Sequence, residues 1–289
     1  KFVGTVGVET PYGDTTSGHG THVAGTVGGT GASSDGRWAG VAPEATLLGY
    51  GSGDGDSILI LSAVAGYERM LDPEIMSLYN PRVTNNSYGG AGDFSPSDPI
   101  MVAVRRAYLH GITSVFATGN DGADSLSSYA GPCSISVANG TKDGELSSTS
   151  SRAAAGASRV PTITAPGTNI TAPRAMTGFA ATTIPEPTNP RYSTISGTSM
   201  ASPHVAGVVA LMLEKSPGLQ LEEIVEIFED TARPMPGYLP HQVGFGYIDA
   251  LAAVAAAQGV PEPDPNSGGP DEDICTAPGA TVVTDYAND

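Results

Sequence analysis

Residues Ser196–Gly207 read SGTSMASPHVAG, a polar turn running straight into apolar sequence. Ser199 follows Gly197-Thr198. Beyond it Val205, Val208, Leu211 and Met212 recur at helical spacing until Ser216-Pro217-Gly218 stops the pattern, which predicts a helix from about Ser199 to Lys215. A hydroxyl at the start of such a helix sits where the helix dipole favours negative charge. That is the setting of a nucleophile, and equally that of a plain N-cap serine.

On the N-terminal side of this helix, short apolar runs alternate with helical ones. Phe2–Val8, Ala45–Tyr50, Val83–Ser87, Gly111–Thr118 and Arg159–Ala165 read as strands, and Ser57–Met70 and Pro99–His110 as helices. Strands that alternate with crossover helices belong to the α/β class, with a central, mostly parallel sheet flanked by helices. On the C-terminal side, Leu221–Thr231 reads as an amphipathic helix and Gly246–Gln258 as a closing, alanine-rich one. Residues 1–258 therefore read as one unit. Residues 259–273, GVPEPDPNSGGPDED, combine Pro, Gly and acid with too little apolar surface to fold, and read as a linker. Residues 274–289 return to strand-like sequence, as the start of a truncated C-terminal β domain would.

The balance of 30 acidic against 13 basic residues, a formal charge of −17, argues against nucleic acid or an anionic membrane surface as a partner. No apolar run is long enough to span a membrane. Cys133 and Cys275 are too few for a disulfide framework and lack metal-ligand spacing. A bridge between them, and pairing of Cys275 with a residue outside this chain, both stay open.

A second stretch, Ser17–Gly28, reads SGHGTHVAGTVG and places His19 between glycines that let backbone and substrate approach an imidazole. HGTHVAGT at His19–Thr26 and GTSMASPHVAG at Gly197–Gly207 together closely resemble the histidine and serine motifs of the subtilisin-like serine proteases, the subtilases. The likeness runs from about Phe2 to Gln258 through VTNNSYGG, FATGNDG, TAPGTNI and GFGYIDALAAV.

That resemblance implies a subtilisin-like three-layer fold and a secreted serine endopeptidase acting on polypeptides. Ser199 would be the nucleophile, His19 the general base, and Asn120 of Ala117-Thr118-Gly119-Asn120 the side-chain donor of the oxyanion hole. His22 and His204 fall at non-catalytic positions. Ser87, Tyr88 and Gly89 resemble the strand that pairs with extended substrate, and Ala117, Thr118 and Gly119 the other wall of the primary pocket. Such walls leave room for large apolar side chains, and Asp121 near the rim would accept basic ones. No cofactor is implied for the chemistry. Structural calcium is expected from the resemblance alone, with no ligands assigned, and Gly53–Asp56 reads as a turn in the cleft. The protein is expected to be a monomer, made with an upstream propeptide.

The family orders its triad aspartate, histidine, serine, with the aspartate in an Asp-Ser/Thr-Gly motif well before the histidine. Only Glu9 and Asp14 precede His19 here. Asp14 lies too close in sequence to reach the imidazole from a central strand, so the triad aspartate is expected upstream of this chain, which alone should be weakly active or inactive. Two other readings share the scaffold: a pseudoprotease used as a binding module, and a peptide ligase or macrocyclase.

Overall fold

The computed structural model describes residues 2–5, 17–54, 57–175, 184–258, 260 and 274–275. At its centre lie two strands buried at every position, β6 (Thr113–Ala117) and β7 (Ser134–Gly140). Such burial is what parallel strands covered on both faces require. They form the middle of a four-stranded sheet, ordered β5 (Val83–Asn86), β6, β7, β8 (Ile163–Pro166), with every pairing parallel. A second parallel pair, β1 (Phe2–Thr5) with β2 (Leu47–Gly49), stands apart from it.

Strand β7 escapes a reading based on hydrophobicity because Ser134, Ser136 and Asn139 interrupt it. Buried hydroxyls are tolerated only when hydrogen-bonded. Ser136 meets that condition by accepting from the Thr162 N–H at 3.1 Å, while its own N–H donates to Thr162 Oγ1 at 3.0 Å.

Helices complete the other two layers. Helix α1 spans His19–Gly28, and α5, Thr198–Lys215, crosses the sheet and touches all four strands. On the other side α2 (Ile60–Met70) packs on α4 (Pro99–Leu109), which covers β6, while α3 (Pro73–Tyr79) follows α2. Helix α4 starts where Asp98 accepts from the Ile100 N–H and Pro99 fills the first helical position, a standard combination at N-termini. Phe116, Ile135 and Ile163 of the sheet meet Ile100, Val104, Val205, Val209 and Met212 of the helices in one core. Helix α6 occupies Leu221–Thr231 as expected, with Glu223 reaching back to the Gln220 N–H.

Several elements differ from expectation, among them β8, which begins at Ile163 rather than Arg159. Ser57–Ile58 is not helical: it forms β4, paired antiparallel with β3 (Gly53–Asp54), so the helix begins only at Ile60. The closing helices are short, α7 at Pro240–Val243 and α8 at Ala250–Ala256, because Tyr247 is taken up in bridges to Arg233 and Thr164. Strands β9 (Ile170–Pro173) and β10 (Tyr192–Ile195) form an antiparallel pair that the sequence did not suggest. All of the 259–273 linker except Val260, the strand-like residues 276–289, and Glu9 and Asp14 lie outside the described residues.

The cysteine pairing left open by the sequence is made. Cys133 and Cys275 form a disulfide with Cα atoms 5.0 Å apart, and Ile274 and Val260 pack partly buried beside the main core.

Candidate active site

The C-terminal ends of β5 and β6 point at the N-terminus of α5, the edge at which open α/β sheets bind ligands. Ser199 lies in the first turn of α5, where the leading N–H groups have no intrahelical acceptor. Asn120 follows β6 and is fixed by Thr198. Its Oδ1 accepts from the Thr198 N–H at 2.9 Å and lies 3.2 Å from Thr198 Oγ1. The Thr198 N–H can only donate, which identifies that atom as oxygen and turns Nδ2 away from it. Gly197, which precedes this turn, has a φ of 157°, a conformation that other residues rarely adopt.

Ser199 Oγ donates to the Ser87 carbonyl at 3.0 Å. Ser87 returns the contact, with its own Oγ 2.9 Å from the Ser199 carbonyl and 2.9 Å from Ser202 Oγ. His19 opens α1 behind Gly18, whose φ of 76° is the left-handed conformation that glycine adopts at little cost. Val23 packs with Met200, and Gly207 sits against Val27, so α1 and α5 run in the same sense with His19 and Ser199 at the same end.

The other two histidines of these motifs, His22 and His204, are turned inward. His22 is fully buried with Nε2 3.2 Å from both the Ile170 and Ser193 carbonyls, and burial pushes its pKa down to about 4, so the ring is neutral at ordinary pH. His204 sets Nδ1 2.8 Å from the Met200 carbonyl, and burial lowers its pKa too.

A cleft of about 950 Å³ opens beside Asn120, bordered by Gly89, Gly90, Thr118, Gly119 and the exposed carboxylates of Asp121 and Asp124. Asp93 and Arg159 also border it, with Arg159 Nη1 donating to the Ala130 carbonyl at 2.9 Å. Of the six residues expected to meet substrate, Gly89, Thr118 and Gly119 line this cleft. Ser87 faces α5, and Ala117 is buried in β6. Tyr88 stacks edge-on against Phe116 with ring centroids 5.7 Å apart, donates to Asn86 Oδ1 at 3.0 Å, and is pushed well above the usual phenol pKa by burial. Sequence reading passed over Thr198, Ser202 and Arg159. Their roles depend on contacts between distant segments, although Pro203 inside a helix was a visible sign that one turn needs outside support.

A second, apolar cavity of about 620 Å³ lies between β2 and β5, walled by Val23, Leu47, Tyr67, Met70, Val83 and Ala206 among others. Among the described residues β2 pairs only with β1, and β5 only with β6.

Similarity to known proteins agrees with this geometry. The chain is 32% identical over 266 residues to serine protease AprX of Bacillus subtilis, covering 84% of this chain and 59% of that one. It is 35% identical over 249 residues to an extracellular protease of Xanthomonas campestris, covering 83% of this chain and 40% of that one. The chain thus spans less than two thirds of the length of these relatives. Among solved structures it resembles fervidolysin of Fervidobacterium pennivorans, described as a keratinolytic enzyme related to subtilisin, with a TM-score of 0.67 and 29% identity over 88% of this chain and 37% of that one. The fold is shared with the protease domain of PatA, at a TM-score of 0.68 and 23% identity over 91% of this chain and 89% of that one. The sequence model described as the Subtilase family matches residues 3–246, and with it the chain belongs to that family.

Proposed function

We propose that this chain supplies the serine, histidine and oxyanion-hole parts of a serine endopeptidase. The observation that carries the reading is the tie of Asn120 to Thr198, the residue that precedes Ser199. Thr198 orients the amide so that Asn120 Nδ2 and the Ser199 N–H can converge on one oxygen next to the Ser199 hydroxyl. In the reaction His19 takes the Ser199 proton as Oγ attacks the scissile carbonyl. The two donors hold the oxyanion, and the imidazolium then protonates the leaving amine. Water hydrolyses the acyl-enzyme by the same steps. For attack to occur, the Ser199 hydroxyl must leave the Ser87 carbonyl and turn to His19.

The third triad member is proposed to be a carboxylate on an upstream strand seated between β2 and β5. The apolar cavity there supports this, since it has facing strand edges on both sides. Substrate is a polypeptide lying across Gly89 and Gly119, with a side chain in the acid-rimmed cleft. Secretion is supported by the acidic charge, by the disulfide, and by a relative named as an extracellular protease. A monomer made with a propeptide, and residues 259–289 as linker and further domain, remain part of this proposal. Side chains and backbone carry the chemistry. Among the described residues no group of three His, Cys, Asp or Glu is placed to hold a metal ion, and no calcium ligand is proposed.

The test compares this chain, a form extended upstream, and the extended form with Ser199→Ala, for casein hydrolysis and fluorophosphonate labelling. Activity requiring both the extension and Ser199 supports the proposal. An extended protein that folds but neither cleaves nor labels is a pseudoprotease, and one that transfers acyl groups only to an added amine is a ligase.

A further inference from the structure

We infer that Ser87 is a positioning residue for the nucleophile, its hydroxyl standing in for the backbone N–H that Pro203 lacks. The inference rests on Ser199 being the nucleophile. In an α-helix the carbonyl of residue i accepts from the N–H of residue i+4. Pro203 lies inside α5 and has no N–H, so the acceptor it strands is the carbonyl of Ser199. An acceptor without a donor at this place would let the first turn unwind or shift, and Ser199 with it.

The structure supplies the missing donor from a residue 112 positions away, with Ser87 Oγ 2.9 Å from the Ser199 carbonyl. The neighbours of that hydroxyl set the direction of its proton. Asn85 Nδ2 donates to Ser87 Oγ at 2.9 Å, and Ser202 Oγ, fully buried, lies 2.9 Å away on another side. A serine hydroxyl has two acceptor sites and one proton. Asn85 fills one acceptor site, and because the Ser199 carbonyl can only accept, the bond to it takes the single Ser87 proton and leaves the second acceptor site for Ser202. Because Ser199 Oγ also donates to the Ser87 carbonyl at 3.0 Å, the two residues are tied side chain to backbone in both directions. The Ser87 side chain is absent from the cleft lining, so it acts on the reaction through the placement of Ser199 and its N–H.

The experiment is a cycle of Ser87→Ala, Pro203→Ala and the double variant in the extended enzyme, with Ser87→Thr alongside. Ser87→Ala is expected to lower kcat on the order of 10- to 100-fold, the scale of a slightly misplaced reacting group, with KM close to unchanged. Pro203→Ala restores a backbone N–H, so the double variant recovers much of that loss, and Ser87→Thr, which keeps the hydroxyl, recovers most of it.

The same cycle is read by thermal unfolding, which does not depend on activity. Pro203→Ala is expected to raise Tm more when Ser87 is absent than when it is present. Additive Tm shifts overturn the inference, as does a Ser87→Ala enzyme with unchanged kcat or with its loss confined to KM. A Ser87→Ala protein that fails to fold and is not restored by Pro203→Ala overturns it as well. If no form of the extended enzyme cleaves or labels, the serine protease reading fails, while the unfolding cycle still decides whether Ser87 and Pro203 are coupled.

Discussion

The two cavities described above differ in their walls. The cleft beside Asn120 is bordered by glycine backbone and exposed carboxylates, groups that water or an extended peptide can satisfy equally well. The cavity between β2 and β5 is walled by Val23, Leu47, Met70 and Val83 and flanked by two strand edges. Apolar surface and open backbone groups are both costly to leave in water. The first suits a guest that arrives and departs, and the second suits a permanent length of chain. The contrast fits the proposal above, in which substrate visits the cleft and an upstream strand fills the apolar cavity.

The strongest way to break this comparison is to place a charge in the apolar cavity. Val83→Asp in the upstream-extended protein should keep the strand from seating, with activity falling by about 10⁴-fold, the scale of losing a triad carboxylate. Casein hydrolysis at the parent rate by that variant would show that the cavity is not the seat. At the cleft, Asn120→Ala removes the proposed oxyanion donor, and kcat should fall about 10²- to 10³-fold with little change in KM. A change in KM alone would assign Asn120 to binding instead.

Helix α1, which walls the apolar cavity, carries a stability test through His22. Burial holds this ring at about 4 against an ordinary 6.5, so the unfolded chain takes up the proton first as pH falls. Its contribution is full above 6.5, declines between 6.5 and about 4, and is gone below that, a difference of about 3 kcal/mol. Urea melts at pH 7.5 and 4 should show this loss in the parent and not in His22→Gln. Equal pH dependence in the two proteins would mean that His22 is not buried neutral.

The smallest effect concerns the rim of the cleft. Asp93, Asp121 and Asp124 outnumber Arg159 there, which favours basic side chains by about 1 kcal/mol per exposed charge. Asp121→Asn with Asp124→Asn should reduce cleavage after lysine relative to leucine severalfold, and less so in high salt. An unchanged ratio would remove these carboxylates from specificity.

What could be read in the sequence follows from how local each signal is. Helices α5 and α6 announce themselves through periodic apolar residues and clear stops, and the Ser199, His19 and Asn120 strings are contiguous. Strand β7 stayed hidden because its serines look exposed until Thr162 of the neighbouring segment satisfies Ser136. Strands β9 and β10 were missed because each is four residues long and they pair across intervening sequence. Helix α3 was readable, with Asp72 accepting from Glu74 behind Pro73, and the signal went unused. The contact of Ser87 with Ser199 spans 112 positions, and no local pattern points to it.

The Cys133–Cys275 bond has a consequence for a protein that cuts proteins. It closes a covalent ring through 142 positions of chain, and Ser199 lies inside that ring. A single nick anywhere between the two cysteines, self-inflicted or not, opens the ring without dividing the molecule. The acidic 259–273 segment falls within it. Whatever follows Cys275 therefore stays moored to the catalytic body after such a cut, until a reductant releases it.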